Sequence, residues 1–165
     1  MKTLRDLLEL QIQDLHSGET QIIDALPGMI EAARDDELVT ALKDHLKQTK
    51  EQKKTLEKLA DDLDCSAKGD TCKGMKGILT EGREVVEDES EEDDVQDAAI
   101  ITACQRVEHY EMAGYGSART YARMLGENEV ANALQEILDQ EQDADEKLTR
   151  IAEGHVNRRA MAAKA

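Results

Sequence analysis

The sequence has no tryptophan, no phenylalanine and a single proline, and its only aromatic residues are three tyrosines. A core without large rings must be built from aliphatic side chains, and the scarcity of proline leaves room for long helices. Cysteine is also scarce, since Cys65, Cys72 and Cys104 are an odd number without a C-x-x-C pair. We therefore expect free thiols in a reducing compartment, rather than a disulfide or a zinc site.

Long apolar runs are absent too, and none approaches the roughly 18 residues of a membrane span. The N-terminal stretch carries acidic residues where a signal peptide would be apolar. Basic residues are in deficit, with 21 Lys and Arg against 37 Asp and Glu and a formal net charge of −16. This charge argues against nucleic acid and anionic lipid, because both need clustered basic residues. We therefore expect a cytoplasmic protein with no membrane and no nucleic-acid partner.

Helix-forming residues dominate the 165-residue chain, which favours an all-α protein. Apolar residues at helical spacing predict four long helices, over about 3–34, 36–64, 95–125 and 128–154. Thr3 is the predicted N-cap of the first helix, Asp35 or Asp36 of the second and Asn128 of the fourth. Pro27 is expected to kink the first helix without ending it, because the apolar pattern resumes in phase after it.

A connection of about 30 residues joins the second and third helices, over residues 65–94. It begins as a loop, continues as a short amphipathic helix over 75–88, and ends in the acid run E-D-E-S-E-E-D-D, which we interpret as a solvated turn. So long a link predicts a four-helix bundle with one long crossover. The predicted domain is residues 1–155, and 156–165 are expected to form a flexible C-terminal tail.

Polar residues interrupt the core stripe near the middle of every long helix. They are Glu19 in the first helix, His45 in the second, Glu108 and Glu111 in the third, and Glu141 and Asp145 in the fourth. The stretch V-E-H-Y-E shows the pattern best, because Glu108 and Glu111 share one face with Cys104 and Tyr115. Mid-helix positions meet in one layer whichever way each helix runs. A buried carboxylate is costly unless it is paired, protonated or bound to metal.

Five carboxylates and one imidazole in one layer are typical of di-iron or di-manganese centres in helical bundles. We therefore predict metal ligands at Glu19, His45, Glu108, Glu111, Glu141 and Asp145, with iron the expected metal and manganese the alternative. Taken singly, each has a simpler interpretation: the acids could be solvated, and His45 could be a hydrogen-bonded core histidine. Tyr115 is expected to pack in the core, although its position one turn from Glu111 would also suit a redox site.

Several stretches carry a further resemblance. They are S-G-E-T-Q, L-P-G-M-I-E-A-A, H-L-K-Q-T, C-K-G-M-K-G, V-E-H-Y-E-M-A-G-Y-G and E-Q-D-A-D-E-K-L-T. With them, nearly the whole chain resembles the bacterial YciE/YciF stress-protein family (DUF892), a branch of the ferritin-like superfamily related to rubrerythrin. The resemblance implies a ferritin-like four-helix bundle with an additional short helix in the crossover, a homodimer and a di-iron site.

Similarity to rubrerythrin matches Glu108 and Glu111 to the E-x-x-E of its third helix. Glu141 and Asp145 match the pair on its fourth helix, with Asp145 where a histidine is usual. The second helix departs from the pattern, since it has no E-x-x-H. His45 is followed instead by Lys47 and Gln48, where many family members have acids.

The sequence leaves the function open between different classes. The first is a dinuclear metal protein with a stress-related role, which would oxidise iron or reduce oxygen or peroxide as a ferroxidase or peroxidase-like oxidoreductase. The second is a non-enzymatic stress or structural protein with a degenerate metal site. A DNA-protecting shell is a weaker third possibility. The net charge opposes it, and only the basic tail residues Arg158, Arg159 and Lys164 favour it.

Overall fold

The computed structural model describes residues 1–87 and 92–162. Its elements are α1 (Leu4–Ala32), α2 (Asp36–Asp62), α3 (Lys73–Glu87), α4 (Asp93–Met124), α5 (Asn128–Ile151), a π-helical turn (Ala152–Val156) and α6 (Asn157–Ala162). Within these two ranges there is no strand, and no helix is long and apolar enough to cross a membrane. The all-α prediction and the crossover with its short helix are confirmed.

Helices α1, α2, α4 and α5 form the bundle, and α3 lies against α1 and α4. The end of α1 shares one apolar core with the starts of α2 and α4 and the end of α5. Helices α2 and α4 therefore run in the same direction, and the crossover carries the chain back along the length of the bundle. This explains why the link between them is long.

The core of the bundle is divided into an upper and a lower apolar cluster. The upper cluster includes Ile22, Leu42, Val107 and Leu148, one from each bundle helix. The lower cluster includes Leu15, Leu56, Tyr115 and Leu138, again one from each. The polar residues predicted as a layer fall between these positions on all four helices. They therefore lie at one depth of the bundle.

The helix caps agree with the sequence at two of three ends. Asp6 N–H donates to Thr3 Oγ1 over 3.0 Å and the Asp6 carboxylate accepts from Thr3 N–H over 3.2 Å, which completes a capping box. Asp35 caps α2, and α1 continues through Pro27 as predicted. The predicted cap at Asn128 is wrong. Asn128 is the first helical residue of α5, and Glu127 occupies the cap position without a side-chain hydrogen bond to the helix backbone.

Asp97 in α4 ties down the turn between α1 and α2. Its two carboxylate oxygens accept from the backbone N–H groups of Arg34 and Asp35, each over 2.8 Å. The Asp35 carboxylate in turn lies 2.7 Å from His155 Nε2 and 2.6 Å from Arg159. One buried junction therefore joins α4, the first turn and the C-terminal helix.

Replacement of Asp97 by alanine is expected to lower the free energy of unfolding by about 2–3 kcal/mol, because two backbone N–H groups lose charge-assisted bonds. Urea denaturation followed by circular dichroism measures this loss. Asp93→Ala is the matched control, since its carboxylate is exposed in the first turn of the same helix. Equal losses in the two variants would contradict the role given to the junction.

The segment predicted as a tail begins within a π-helical turn and continues as α6. Val156 is buried, and Arg159 also donates to Asp94 over 2.7 Å. Flexibility of this segment stays a prediction, and its last residues, 163–165, lie outside the described residues. The same is true of residues 88–91, which make up half of the predicted acid turn.

Candidate metal centre

The polar layer between the two apolar clusters is buried. Relative exposure is 0 % for Glu19 and Glu141, 1 % for Glu111, 2 % for Glu108 and 7 % for His45. Each side chain comes from a long helix whose apolar residues pack above and below it, so the helix cannot rotate to carry the acid into water. Burial of these five predicted ligands is a consequence of the bundle itself.

Four of the six predicted ligands form one compact group. One ligand atom each from His45, Glu108, Glu111 and Glu141 lies within 4.8 Å of every other. Ligand atoms on opposite sides of a metal ion at about 2.1 Å would be about 4.2 Å apart. Small side-chain movements would therefore bring all four into the coordination distance of one ion.

Glu19 extends this group on the α1 side. Burial raises the pKa of Glu111 and the charge of Glu19 raises it further, and Glu19 Oε1 accepts from the Tyr115 hydroxyl. Two neighbouring buried carboxylates avoid this repulsion when one of them carries a proton. When both are ionised, a cation between them is the remaining way to hold them together.

Asp145 is not brought into the group. Its side chain is 20 % exposed; Oδ1 accepts from Gln105 Nε2 over 3.0 Å and lies 3.3 Å from His109 Nε2. The negative charge of Asp145 nevertheless contributes to raising the pKa of Glu108. The side chain thus lies beside the group and points towards the outer partners.

The buried group contains many polar atoms without a hydrogen-bond partner. They are Glu19 Oε2, both ring nitrogens of His45, Glu108 Oε2, both carboxylate oxygens of Glu111, and Glu141 Oε2. His45 Nε2 is 3.4 Å from Glu108 Oε1, but the geometry is not that of a hydrogen bond. Buried polar atoms are normally paired, and all of these are atoms that coordinate transition metals. The residues present therefore fit a metal ion.

Electrostatics in the layer agree with this donor set. Burial raises the pKa of Glu19, Glu108 and Glu111 well above the ordinary value, and the charge of Glu141 raises each further. Burial also raises the pKa of Glu141. The same desolvation lowers the pKa of His45 to about 4, which leaves its imidazole neutral, as a metal ligand must be. Without a cation, burial therefore favours the protonated form of these carboxyl groups.

Residues 3–161 match the family described as a domain of unknown function, DUF892. The chain belongs to the DUF892 family. It is 36 % identical to protein YciF of Escherichia coli K12 over 161 residues, which are 97 % of this chain and 96 % of that protein.

Solved structures agree with this placement. The alignment with the crystal structure of the E. coli stress protein YciF covers 95 % of this DUF892 chain and 99 % of that chain, with a TM-score of 0.90 and 36 % identity. The alignment with YcfI from Rhodopseudomonas palustris, described as a candidate structural protein, covers 90 % of this chain and 94 % of that chain, with a TM-score of 0.86 and 35 % identity. A protein from Xanthomonas campestris shares the fold, with a TM-score of 0.74 at 22 % identity.

Neighbouring side chains orient the candidate ligands of the layer in this DUF892 chain. Gln52 on α2 donates from its amide to Glu141 Oε1 and, over 3.0 Å, to Gln140 Oε1. Gln52 thus holds the carboxylate of Glu141, a candidate ligand on α5, from the side of α2. Helix α2 supplies one ligand atom to the compact group, the nitrogen of His45. The sequence shows Gln52 as a polar core residue, but its partner depends on the approach of α5.

Replacement of Tyr115 by phenylalanine is expected to lower the free energy of unfolding of the metal-free protein by about 1–2 kcal/mol, because Glu19 loses a buried donor. Urea denaturation in the presence of a chelator measures the change. Tyr121→Phe, at a partly exposed position on the same helix, should change stability by less than about 0.5 kcal/mol. Equal effects in both variants would argue against a supporting bond to Glu19.

A second group was not predicted from the sequence. The Cys72 thiol lies 3.2 Å from Asp14 Oδ2 and 3.1 Å from the Tyr110 hydroxyl, which joins the start of α3 to α1 and α4. Gly74 permits this approach, since a Cβ there would lie 2.6 Å from the Tyr110 oxygen. The motif C-K-G-M-K-G marks the place, but only packing brings Asp14 and Tyr110 to it. The group fixes the start of α3 against α1 and α4.

Proposed function

We propose that this DUF892 protein is a ferritin-like dinuclear metal protein, which holds iron or manganese in its buried layer and acts in a stress response. One observation carries the proposal: four ligand atoms from three helices lie within 4.8 Å of one another, and buried oxygens of the same side chains have no partner. Metal ions would pair these oxygens and offset the cost of burying so many acids.

In this proposal the compact group of His45, Glu108, Glu111 and Glu141 holds the first ion. Glu19, whose charge acts on Glu111, provides the additional carboxylate for the second ion. Asp145 is retained as a proposed ligand of the second ion, because its charge already acts on Glu108. The first ion is expected to bind more tightly, since its ligands are already close together.

Redox-active metal ions bound here would supply electron transfer to oxygen or peroxide, and so would support ferroxidase or peroxidase-like chemistry. The contribution of the chain is to hold and shield the ligands. The two apolar clusters close the layer on both sides along the length of the bundle. Tyr115 and Gln52 orient Glu19 and Glu141, and the neutral His45 adds a nitrogen ligand.

The experiment that tests this function is metal analysis of protein purified without a metal-affinity tag from cells supplied with iron or manganese. About two metal ions per chain are expected, as in dinuclear carboxylate proteins. Ferrous protein should then consume oxygen or peroxide faster than free ferrous ion at the same concentration. Protein that remains metal-free after reconstitution with both metals would reject the proposal.

We propose further that the protein works in the cytoplasm as a homodimer. The three free cysteines suit a reducing compartment, and the dimer follows from the family resemblance. Cell fractionation tests the location. Analytical ultracentrifugation tests the subunit number, and a monomer at micromolar concentration would reject the dimer.

The alternative is a non-enzymatic stress or structural protein with a degenerate metal site. The amide of Gln52 beside Glu141 favours it, because it leaves α2 without a carboxylate in the layer. The description of YcfI as a candidate structural protein agrees with this alternative. It predicts a layer that works protonated, with no more than one weakly bound ion per chain.

A further inference from the structure

A cavity of about 120 Å³ lies between α2 and α5 and reaches the metal layer. His45 and Glu108 form part of its wall, and His45 is buried with both ring nitrogens unpartnered. A volume of this size holds several water molecules. The cavity therefore gives the nitrogen ligand of the proposed centre a wet path towards solvent.

The outer part of this cavity is polar and mainly acidic. Asp44 from α2 and Asp143 from α5 are exposed, and Gln48 and Gln140 lie beside them. These oxygens suit a hydrated divalent cation, which loses its water more easily when carboxylate and amide oxygens replace it. Exposed carboxylates at the mouth of a cleft also raise the local concentration of cations.

Among the described residues, Lys147 is the one cationic side chain that lines this cavity. Its Nζ is 3.4 Å from Asp44 Oδ2, across the gap between the two helices, and the side chains are 43 % and 70 % exposed. Ion pairs this exposed contribute little to stability, so the contact can open readily. While it is closed, the ammonium group neutralises one of the two carboxylates and repels an approaching cation.

A smaller cavity of about 20 Å³ also touches His45 and Glu108, from the side of α3. Its remaining wall is formed by apolar and sulfur-containing side chains, Met29, Leu79 and Cys104 among them. A charged ion would lose its hydration there without replacement, which is strongly unfavourable. Of these two cavities, only the one between α2 and α5 suits an ion.

We propose that the cavity between α2 and α5 is the uptake path for divalent cations, with Asp44 and Asp143 as transit ligands and Lys147 as an electrostatic gate. His45 is the first buried ligand that an ion meets on this path, and Glu108 is the next. This inference rests on the proposed function of the layer as a metal centre. It adds a route and a gate, which control how fast the centre fills and leave the ligand set unchanged.

The test is stopped-flow uptake of Co²⁺ by the full-length, metal-free protein, followed by cobalt absorption. Replacement of both Asp44 and Asp143 by asparagine should slow uptake by about 3–10-fold at low ionic strength, and Lys147→Gln should accelerate it by about 2–5-fold. Both differences should shrink at about 0.5 M salt, where exposed charges are screened. Cobalt bound at equilibrium should be unchanged in both variants.

Two control variants separate a path effect from the general charge of the surface. Lys50→Gln removes a cation from an exposed position on α2, and Asp24→Asn removes an acid from an exposed position on α1. Neither residue lines the cavity, and both variants should take up cobalt at the wild-type rate. Rates that follow net charge alone, with Lys50→Gln equal to Lys147→Gln, would overturn the gate.

The experiment can reject the uptake path without rejecting the proposed function. Wild-type rates in the Asp44→Asn, Asp143→Asn double variant, with full cobalt binding, would overturn the path and leave the metal centre standing. Absence of cobalt binding by the wild-type protein would overturn the centre and, with it, the path.

Discussion

Replacement of Glu108 by glutamine is expected to weaken metal binding by about 100-fold or more while the bundle stays folded. The amide keeps the volume of the side chain, but it removes one negative charge from the compact group of four ligands. Loss of groups that merely support a ligand already costs about 10–100-fold in affinity, so loss of a ligand itself should cost at least as much. Calorimetric titration with Fe²⁺ or Mn²⁺ under anaerobic conditions measures the change.

The same variant should melt at a higher temperature than the wild-type protein when both are metal-free. Burial disfavours the charged form of Glu108, and glutamine has no charge to bury. The gain should exceed the about 0.5 kcal/mol typical of a surface substitution. Weaker binding together with a more stable metal-free form is the signature of a group kept for function, and a purely structural residue would not show both.

Glu136→Gln is the matched control, since it makes the same chemical change at an exposed position of α5. It should bind metal and melt like the wild-type protein. Wild-type metal affinity in the Glu108→Gln variant would exclude Glu108 as a ligand. A stabilised variant of a wild-type protein that binds no metal would support the non-enzymatic alternative.

Stability of the metal-free protein is expected to fall as the pH rises above about 6.5. Burial raises the pKa of Glu19, Glu108, Glu111 and Glu141, so the folded state binds these protons more tightly than the unfolded state. Their contribution is lost as pH rises through the raised pKa values. His45 acts in the opposite direction, because its pKa is lowered from 6.5 to about 4, but that contribution is complete above pH 6.5.

Metal binding should reverse this dependence. A cation must displace the protons, so its affinity and the stabilisation it provides increase with pH. Melting temperatures between about pH 6.5 and 8.5, with a chelator and with saturating Mn²⁺, should therefore change in opposite directions. A Glu108→Gln, Glu111→Gln variant should show a much flatter curve with the chelator. An unchanged slope in that variant would place the pH dependence elsewhere on this acidic surface.

Much of the fold could be predicted because it depends on local patterns. Apolar spacing defined the long helices, Thr3 and Asp35 marked their starts, and a connection of about 30 residues required a crossover. The misplaced cap at Asn128 had a local cause as well. Asn is a strong cap residue, but here the chain turns into α5 one residue earlier, with Glu127 at the cap position.

The part of the candidate site that could be predicted is the depth of its residues within the bundle. An acid on the apolar face of a long helix cannot reach water once the helix packs, so burial of Glu19, Glu108, Glu111 and Glu141 follows from sequence position. The direction of a side chain at the edge of the stripe does not follow. Asp145 is four residues from Glu141, yet it bonds to Gln105 and lies beside His109, outside the group.

By itself, the sequence determined the helices, the crossover and the depth of the polar layer, because helical periodicity and burial are properties of single segments. Only the tertiary structure decided which ligand atoms come together, because distances between helices depend on how all of them pack. It brought His45 to Glu108, set Gln52 against Glu141 and opened a polar cavity between α2 and α5. The residues of the proposed metal centre could thus be predicted from their positions in the sequence, whereas its geometry depends on how the helices pack.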